Sequence, residues 1–289
     1  MFHKVYRKLQ QDGPIAVLKA VGRFIHYKSH QTDWDFEAIP ALLENAAKKK
    51  SKVSLIQIGA NVGDTGSDPL YKFLKKHCLD EPDPKKVECH AVMVEPVRHL
   101  FEQLRANYAS FPGVACEDVA IADSACIRSF YRLREGIDLQ AHGLPPWAEE
   151  LGSFIPEQME SLWGHDSENL ELIRFAKENI VVDEVHCISI HELLEKHNLT
   201  EVDLLQVDTE GYDFEILKTI DFKKFKPHYI NYERIHLKKA EARCRSMLLN
   251  QGYRLRDHGQ DTLCERTNGL GFVELMRERL YCAWLTCVF

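Results

Sequence analysis

The chain has 289 residues, of which 45% are hydrophobic and 28% charged, and its formal net charge is −7. These proportions are typical of a globular protein, and they exclude disordered, collagen-like and fibrous chains. The negative charge argues against a nucleic-acid partner. No apolar stretch in the sequence approaches the roughly 20 residues that span a bilayer.

The nine cysteines are scattered along the sequence. They form neither CxxC pairs nor Cys/His clusters at zinc spacing, which favours free thiols in a reducing compartment. The N-terminus lacks the continuous apolar segment of a cleavable signal. We therefore expect a soluble, cytoplasmic protein.

Residues 1–50 are predicted to form a helical accessory segment that precedes the main domain at 51–289. Basic and apolar residues interleave at helical spacing up to residue 27, and a further helix is predicted at 36–50. One interpretation is that the first helices pack on the domain with a solvated basic face. The alternative is a weak contact of that face with acidic membrane lipid.

Strands and helices alternate after residue 52, which predicts an α/β fold with a mostly parallel sheet covered on both faces. Two short strands near the end of the chain predict an antiparallel hairpin. The predicted strands are 53–58, 90–94, 114–122, 182–187, 204–207, 228–232, 253–256 and 262–265.

Residues 134–180 interrupt this alternation. The stretch is too long for a simple connection, and its aromatic residues are not typical of a flexible linker. We predict an inserted lid or substrate-binding region, in which Trp147, Phe154 and Trp163 either stack on an acceptor ring or pack a small core.

Candidate ligand-binding residues follow the first two strands, because ligands bind at the carboxyl ends of parallel strands. The first strand leads into the glycine-rich turn Gly59–Gly63, whose glycines permit close approach of the backbone to a ligand. Glu95 follows the second strand, where a carboxylate can accept hydrogen bonds from ribose hydroxyls. Asn61 replaces the middle glycine of a dinucleotide fingerprint, which weakens an NAD interpretation.

Further carboxylates follow the later strands. Asp208, Glu210 and Asp213 lie within six residues after the strand at 204–207. Asp213 suits a helix start, whereas Asp208 and Glu210 are expected to face the cleft. Glu233 follows the strand at 228–232, and it either faces the substrate or pairs with the neighbouring arginine.

With these residues in place, the chain resembles the FkbM family of class I methyltransferases. Three blocks carry the resemblance: residues 58–63 (IGANVG), 94–96 (VEP) and 204–217 (LLQVDTEGYDFEIL). The third block is the most specific, although Gln206 stands where the family usually has lysine. The resemblance covers about residues 52–266, but it does not extend convincingly to the first 50 residues or to the insertion.

The resemblance implies a Rossmann-like fold with a seven-stranded, mostly parallel sheet that binds S-adenosylmethionine. By position, the Gly59–Gly63 loop would face the methionine portion and Glu95 the ribose. Asp118 and Val119 would lie beside the adenine, and Asp208 near the amino group and sulfonium. The loop residues assigned to the cofactor are Gly59, Ala60, Asn61 and Gly63.

The resemblance also implies transfer of the methyl group to a hydroxyl oxygen on a sugar, glycan or other small molecule. Because such a hydroxyl needs a base, we expect Glu210 or Asp208 in that role, with Tyr212, Glu233 and His236 shaping the acceptor side. A divalent metal on the Asp208 and Glu210 acids is conceivable, but none is predicted because no second ligand cluster accompanies them.

Two other functions remain open. The first is a catalytically inactive scaffold that keeps the fold and binds the cofactor without turnover. The second is an NAD-dependent enzyme on a similar fold, for which the sequence offers no evident hydride-transfer site.

Overall fold

The computed structural model of the protein describes residues 38–64, 68–79, 87–142, 144, 146–156, 159, 174–175 and 177–288. The helices predicted before residue 36, their basic face, Trp163 and the side chain of Trp147 lie outside the described residues. Within the described ranges, no helix combines the length and apolarity needed to cross a membrane.

The described residues form eleven strands and seven α-helices. The strands are β1 (Lys52–Ile58), β2 (Glu88–Val94), β3 (Val114–Glu117), β4 (Ala120–Ala122), β5 (Cys126–Leu133), β6 (Gly152–Ser153), β7 (Ile180–Ser189), β8 (Leu204–Val207), β9 (Tyr229–Glu233), β10 (Tyr253–His258) and β11 (Asp261–Arg266). The helices are α1 (Ala38–Lys49), α2 (Pro69–Leu74), α3 (Arg98–Asn107), α4 (Ile190–Lys196), α5 (Asp213–Leu217), α6 (Lys239–Asn250) and α7 (Phe272–Val288).

The main sheet has seven strands in the order β3-β2-β1-β8-β9-β11-β10. Strands β3, β2, β1, β8 and β9 are mutually parallel, whereas β11 runs antiparallel to both β9 and β10. The predicted seven-stranded, mostly parallel sheet with a C-terminal hairpin is therefore confirmed. Because β11 pairs directly with β9, the hairpin turn lies beside the carboxyl end of β9.

Helices cover both faces of this sheet, and the side chains of β1, which point alternately to the two faces, contact both sets of helices. Leu55 points into a core with α1, α2 and α3, whereas Ile56 and Ile58 point into a core with α4 to α7. All three side chains are fully buried or nearly so, as expected for a parallel strand covered on both sides. α1 packs its Ile39 and Leu43 into the first of these cores.

A second sheet of four strands, in the order β4-β7-β5-β6, was not predicted. The single strand predicted at 114–122 is divided at Asp118 and Val119, and only its first part, β3, joins the main sheet. The strand predicted at 182–187 is β7, which pairs antiparallel with β5 instead of extending the parallel sheet. Its alternation of buried and accessible residues suits an antiparallel sheet with one covered face.

Candidate functional site

A cavity of about 840 Å³ opens at the carboxyl ends of β1, β2, β8 and β9. Its size falls within the range of ligand pockets. The lining residues are Ile58, Gly59, Asn61, Val94, Glu95, Pro96, Val97, Ala120, Ile121, Phe130, Glu150, Leu151, Gly152, Phe154, Asp208, Thr209, Glu210, Tyr212, Ile216, Glu233, Ile235, His236 and Gln260.

The two glycines of the turn after β1 have different roles, one at the cavity and one in the core. Gly59 has φ +79°, and a Cβ there would lie 1.8 Å from the Asp208 carbonyl oxygen. Gly63 has φ +73°, and a Cβ there would lie 2.4 Å from the Tyr108 ring. Gly63 therefore lets the turn pack on α3, and the cavity wall receives Gly59 and Asn61 but neither Ala60 nor Gly63.

Asn61 occupies the left-handed region with φ +51°, which asparagine tolerates better than most side chains. Its Oδ1 accepts a hydrogen bond from the Val62 N–H at 2.6 Å. Its Nδ2 donates to Glu150 Oε2 at 2.8 Å. The residue that replaces the middle fingerprint glycine thus keeps the turn and ties it to the inserted region.

Glu95 follows β2 and lines the cavity with only 5% of its surface exposed. Its Oε2 accepts the Asn61 N–H at 2.9 Å, and its Oε1 accepts the Val97 N–H at 2.8 Å. Burial raises the pKa of Glu95 to about 7 despite these two hydrogen bonds. Each carboxylate oxygen keeps a second lone pair, so a vicinal diol in the cavity could still donate to both.

Asp118 and Val119, assigned to the adenine by resemblance, lie at the break between β3 and β4. Arg98 Nη1 donates to Asp118 Oδ2 at 2.6 Å. Neither residue belongs to the cavity wall, which is formed at this point by Ala120 and Ile121. Their contact with adenine stays a prediction.

The segment after β8 is organised by Asp213, the buried first residue of α5. Its Oδ2 accepts the Thr209 hydroxyl at 3.0 Å and the Gly211 N–H at 3.2 Å, and its Oδ1 accepts the Glu233 N–H at 3.2 Å. These bonds agree with the interpretation of Asp213 as a structural acid. They also join the ends of β8 and β9.

Two strand ends bring Glu210, Glu233 and His236 together. His236 Nε2 lies 3.3 Å from Glu210 Oε2 and 3.6 Å from Glu233 Oε1. Glu233 therefore pairs with His236 and not with Arg234, whose Nη2 donates to the Gly259 carbonyl oxygen at 3.0 Å. The second oxygen of Glu233, Oε2, is buried without a hydrogen-bond partner.

The carboxylates on this side of the cavity hold protons more tightly than isolated acids. Burial and then the charge of Asp213 raise the pKa of Glu210 to about 7. Burial and then the charges of Asp208, Glu210 and Asp213 raise the pKa of Glu233 to about 11. Asp208 is accessible from the open cavity, but protein atoms crowd around its carboxylate. This desolvation, followed by the charge of Glu210, raises the pKa of Asp208 well above the usual value.

An aromatic cluster borders the acceptor side. Arg128 Nη1 donates to the Tyr212 hydroxyl at 2.5 Å, and its guanidinium lies 4.6 Å from the centre of the Phe154 ring. Phe154 contacts the Tyr212 ring with centroids 4.9 Å apart, and the Phe130 ring with centroids 5.1 Å apart. Of the two alternatives for Phe154, the structure shows packing, but the same ring also lines the cavity.

Sequence reasoning missed Arg128, Phe130, Glu150 and Gln260. The first two lie on β5, whose alternating sequence CIRSFYRL was a signal for a strand. Glu150 ends a 3₁₀ turn in the inserted region. Gln260 lies in the hairpin turn and reaches the cavity only because β11 pairs with β9, which no local pattern indicates.

The chain is similar to several proteins of known structure. Among solved structures, a protein assigned as a class I S-adenosylmethionine-dependent methyltransferase from Listeria monocytogenes matches 84% of this chain at 10% identity, with a TM-score of 0.39. This chain covers 63% of that protein, which is less than two thirds of its length. A chain from a fibrillarin/Nop5p complex matches 75% of this chain over 74% of its own length, at 13% identity and with a TM-score of 0.33.

A search of curated proteins gives no match. A family model, the methyltransferase FkbM domain, matches residues 57–255, which is more than half of the chain. The matched range includes the glycine turn, Glu95, the segment after β8 and the end of β9. The chain therefore belongs to the FkbM family of methyltransferases.

Proposed function

We propose that the protein transfers a methyl group from S-adenosylmethionine to a hydroxyl oxygen of a sugar, glycan or other small molecule. The observation that carries this proposal is the single cavity shared by Gly59, Glu95, Asp208, Glu210 and Glu233. A candidate cofactor site and several groups able to accept a proton thus open into one volume.

The residues present fit S-adenosylmethionine. The glycine turn brings backbone close to the cavity, and Glu95 offers two carboxylate oxygens of the kind that bind ribose hydroxyls. Asp208 reaches the same cavity from the end of β8, where a carboxylate would favour a cationic ligand group. The bound cofactor would supply an already activated methyl group.

The protein would then hold the acceptor hydroxyl in place, exclude water and take the proton. Asp208 and Glu210 are our candidates for the base, because both carboxylates open into the cavity beside each other on the segment after β8. Glu233 and His236 face them from the end of β9. Catalysis would follow from positioning and proton acceptance.

The acceptor would lie against the aromatic cluster. Phe130, Phe154 and Tyr212 give the cavity apolar faces beside a polar floor of carboxylates. Such a mixture suits a ligand that has ring faces and hydroxyl groups. The surplus of carboxylates would disfavour phosphorylated or strongly acidic acceptors.

A cytoplasmic location is part of the proposal. Eight cysteines in the described part of the chain are free thiols, which supports a reducing compartment. The net charge of −7 supports an acceptor other than nucleic acid.

Transfer of a radiolabelled methyl group from S-adenosylmethionine to a panel of neutral sugars, glycans and small alcohols tests the proposal. We expect label in at least one acceptor, with mass spectrometry locating the added methyl on oxygen. Binding of the cofactor without transfer to any member would favour the inactive scaffold. Methylation confined to nitrogen or carbon would contradict the proposed chemistry.

A further inference from the structure

The cluster of Glu210, Glu233 and His236 has the composition and the spacing of a metal site. One ligand atom from each residue lies within 4.8 Å of the other two. Glu210 comes from the segment after β8, whereas Glu233 and His236 come from the end of β9. Two separate chain segments therefore converge on one point in the cavity wall.

Glu233 supplies an independent reason to expect a ligand here. Only 6% of its surface is exposed, and its Oε2 is buried without a hydrogen-bond partner. A buried carboxylate oxygen that has lost water and gained no donor is costly. Among the described residues, the only basic side chain paired with Glu210 or Glu233 is His236.

The distances leave room for a cation. Metal bonds of about 2.0–2.2 Å in a tetrahedral arrangement place neighbouring ligand atoms about 3.4 Å apart. The two measured separations from His236 Nε2 are 3.3 Å to Glu210 and 3.6 Å to Glu233. The ligand atoms of Glu210 and Glu233 lie within 4.8 Å of each other, so a cation would draw the two carboxylates together by at most about 1.4 Å.

We propose that Glu210, Glu233 and His236 bind one divalent cation of the first transition series, Mn²⁺ or Zn²⁺. Imidazole favours such ions over Mg²⁺ and Ca²⁺, and carboxylates complete a set that both Mn²⁺ and Zn²⁺ accept. Three protein ligands leave coordination positions open on the cavity side, as in catalytic metal sites.

The role of this cation rests on the proposed function. An acceptor hydroxyl bound at an open position would be oriented toward the cofactor side of the cavity, and the cation would lower its pKa. With Glu210 engaged as a ligand, Asp208 is left as the carboxylate that accepts the proton. Glu210 would then act by holding the cation.

Metal binding can be measured without any acceptor. The full chain, freed of metal with a chelator and dialysed, is titrated with MnCl₂ by electron paramagnetic resonance and with ZnCl₂ by calorimetry. We expect one saturable site for at least one of the two ions. Glu233→Gln and His236→Gln should weaken its affinity about 100-fold or more, beyond the usual loss from an outer-shell change.

Glu150→Gln is the matched control, because Glu150 lines the same cavity but lies outside the cluster. Its metal affinity should equal that of the wild type. Circular dichroism melting checks that each variant is folded, and His236→Gln preserves the test if Glu233→Gln does not fold. The metal site would be overturned if neither ion showed saturable binding. It would also be overturned if both cluster variants bound the ion with the affinity of the wild type.

Binding of S-adenosylhomocysteine in the presence of the chelator separates this proposal from the proposed function. If S-adenosylhomocysteine binds and neither ion does, the metal site is wrong and the methyltransferase proposal stands. If an ion binds at the cluster but S-adenosylhomocysteine does not bind, the metal site is supported and the cofactor assignment is wrong.

Discussion

The two sides of the cavity are built in different ways. The cofactor half, Gly59, Asn61 and Glu95, consists of a tight turn and a carboxylate whose two oxygens each accept a backbone N–H. The acceptor half, Asp208, Glu210, Glu233 and His236, consists of three crowded acids, of which Glu210 and Glu233 share one imidazole. The carboxylate of the cofactor half therefore has its hydrogen-bond partners within the protein. The acceptor half needs a proton, a cation or a substrate to balance its charge.

Because of this difference, the two halves are suited to different steps, one to binding the cofactor and the other to the reaction. A turn fixed by backbone hydrogen bonds is preorganised for a ligand that is always the same, such as a cofactor. Carboxylates that lack donors are suited to exchange protons or bind a cation during a reaction. Substitutions in the two halves should therefore have different signatures, in cofactor affinity or stability on one side and in turnover on the other.

The largest expected effect lies in the acceptor half. Glu210→Gln and Asp208→Asn should each lower kcat by about 10²–10⁴-fold, because each removes a group that accepts the proton or holds the hydroxyl. Glu210→Gln should leave the Kd for S-adenosylhomocysteine nearly unchanged. Steady-state kinetics with calorimetry measures both quantities.

Glu215→Gln is the control for these variants, because Glu215 lies on α5 outside the cavity and pairs with Lys218. It should retain wild-type kcat. Full turnover with unchanged cofactor affinity in both Glu210→Gln and Asp208→Asn would remove the base assignment.

The next effect is on stability and concerns the cofactor half. Gly59→Ala should lower the free energy of unfolding by about 2–5 kcal/mol, the sum of left-handed strain and overlap with the Asp208 carbonyl. Urea unfolding measures it. Gly136→Ala is matched in φ, at +76°, but has no atom within 4 Å of the added Cβ, so it should show the strain alone. Equal losses in both variants would refute the role of close packing.

A smaller effect is the pH dependence of cofactor binding. Ribose hydroxyls donate best to a charged carboxylate, and burial raises the pKa of Glu95 to about 7. Affinity for S-adenosylhomocysteine should therefore rise about tenfold between pH 6 and pH 8, as Glu95 loses its proton. In Glu95→Gln this tenfold rise should be lost, and calorimetry should show only the smaller pH dependence that comes from the ligand and from Glu210, whose pKa is also raised to about 7. If the affinity depended on pH in the same way in the wild type and in Glu95→Gln, Glu95 would not be the residue that binds the ribose.

The smallest effect concerns the aromatic cluster. Tyr212→Phe removes the hydrogen bond from Arg128, which is worth about 1 kcal/mol. The acceptor KM should rise about fivefold, with cofactor affinity unchanged. Tyr131→Phe, on β5 but away from the cavity wall, is the matched control. Equal KM values for wild type and Tyr212→Phe would show that the cluster does not position the acceptor.

The cofactor half could be predicted from the sequence because its residues follow directly from local patterns. A buried strand that ends in glycine, and a carboxylate immediately after the next strand, place Gly59 and Glu95 at one edge of a parallel sheet. Asp208 and Glu210 were predicted for the same reason. Their positions depend on the strand that precedes them and on little else.

The rest of the cavity depends on contacts between distant segments. Phe130 reaches it, and Arg128 reaches the neighbouring Tyr212, through pairing of β5 with β7, about fifty residues later in the chain. The approach of His236 to Glu210 depends on the pairing of β8 with β9 and on the hydrogen bond from the Glu233 N–H to Asp213. Periodicity identifies strands, but it does not select their partners.

The cofactor half is proposed to bind S-adenosylmethionine. Calorimetry of the full chain with S-adenosylhomocysteine and, separately, with NAD tests it most directly. We predict one saturable site for S-adenosylhomocysteine, weakened in Glu95→Gln, and no saturable binding of NAD. Saturable binding of NAD without binding of S-adenosylhomocysteine would contradict this assignment of the cofactor.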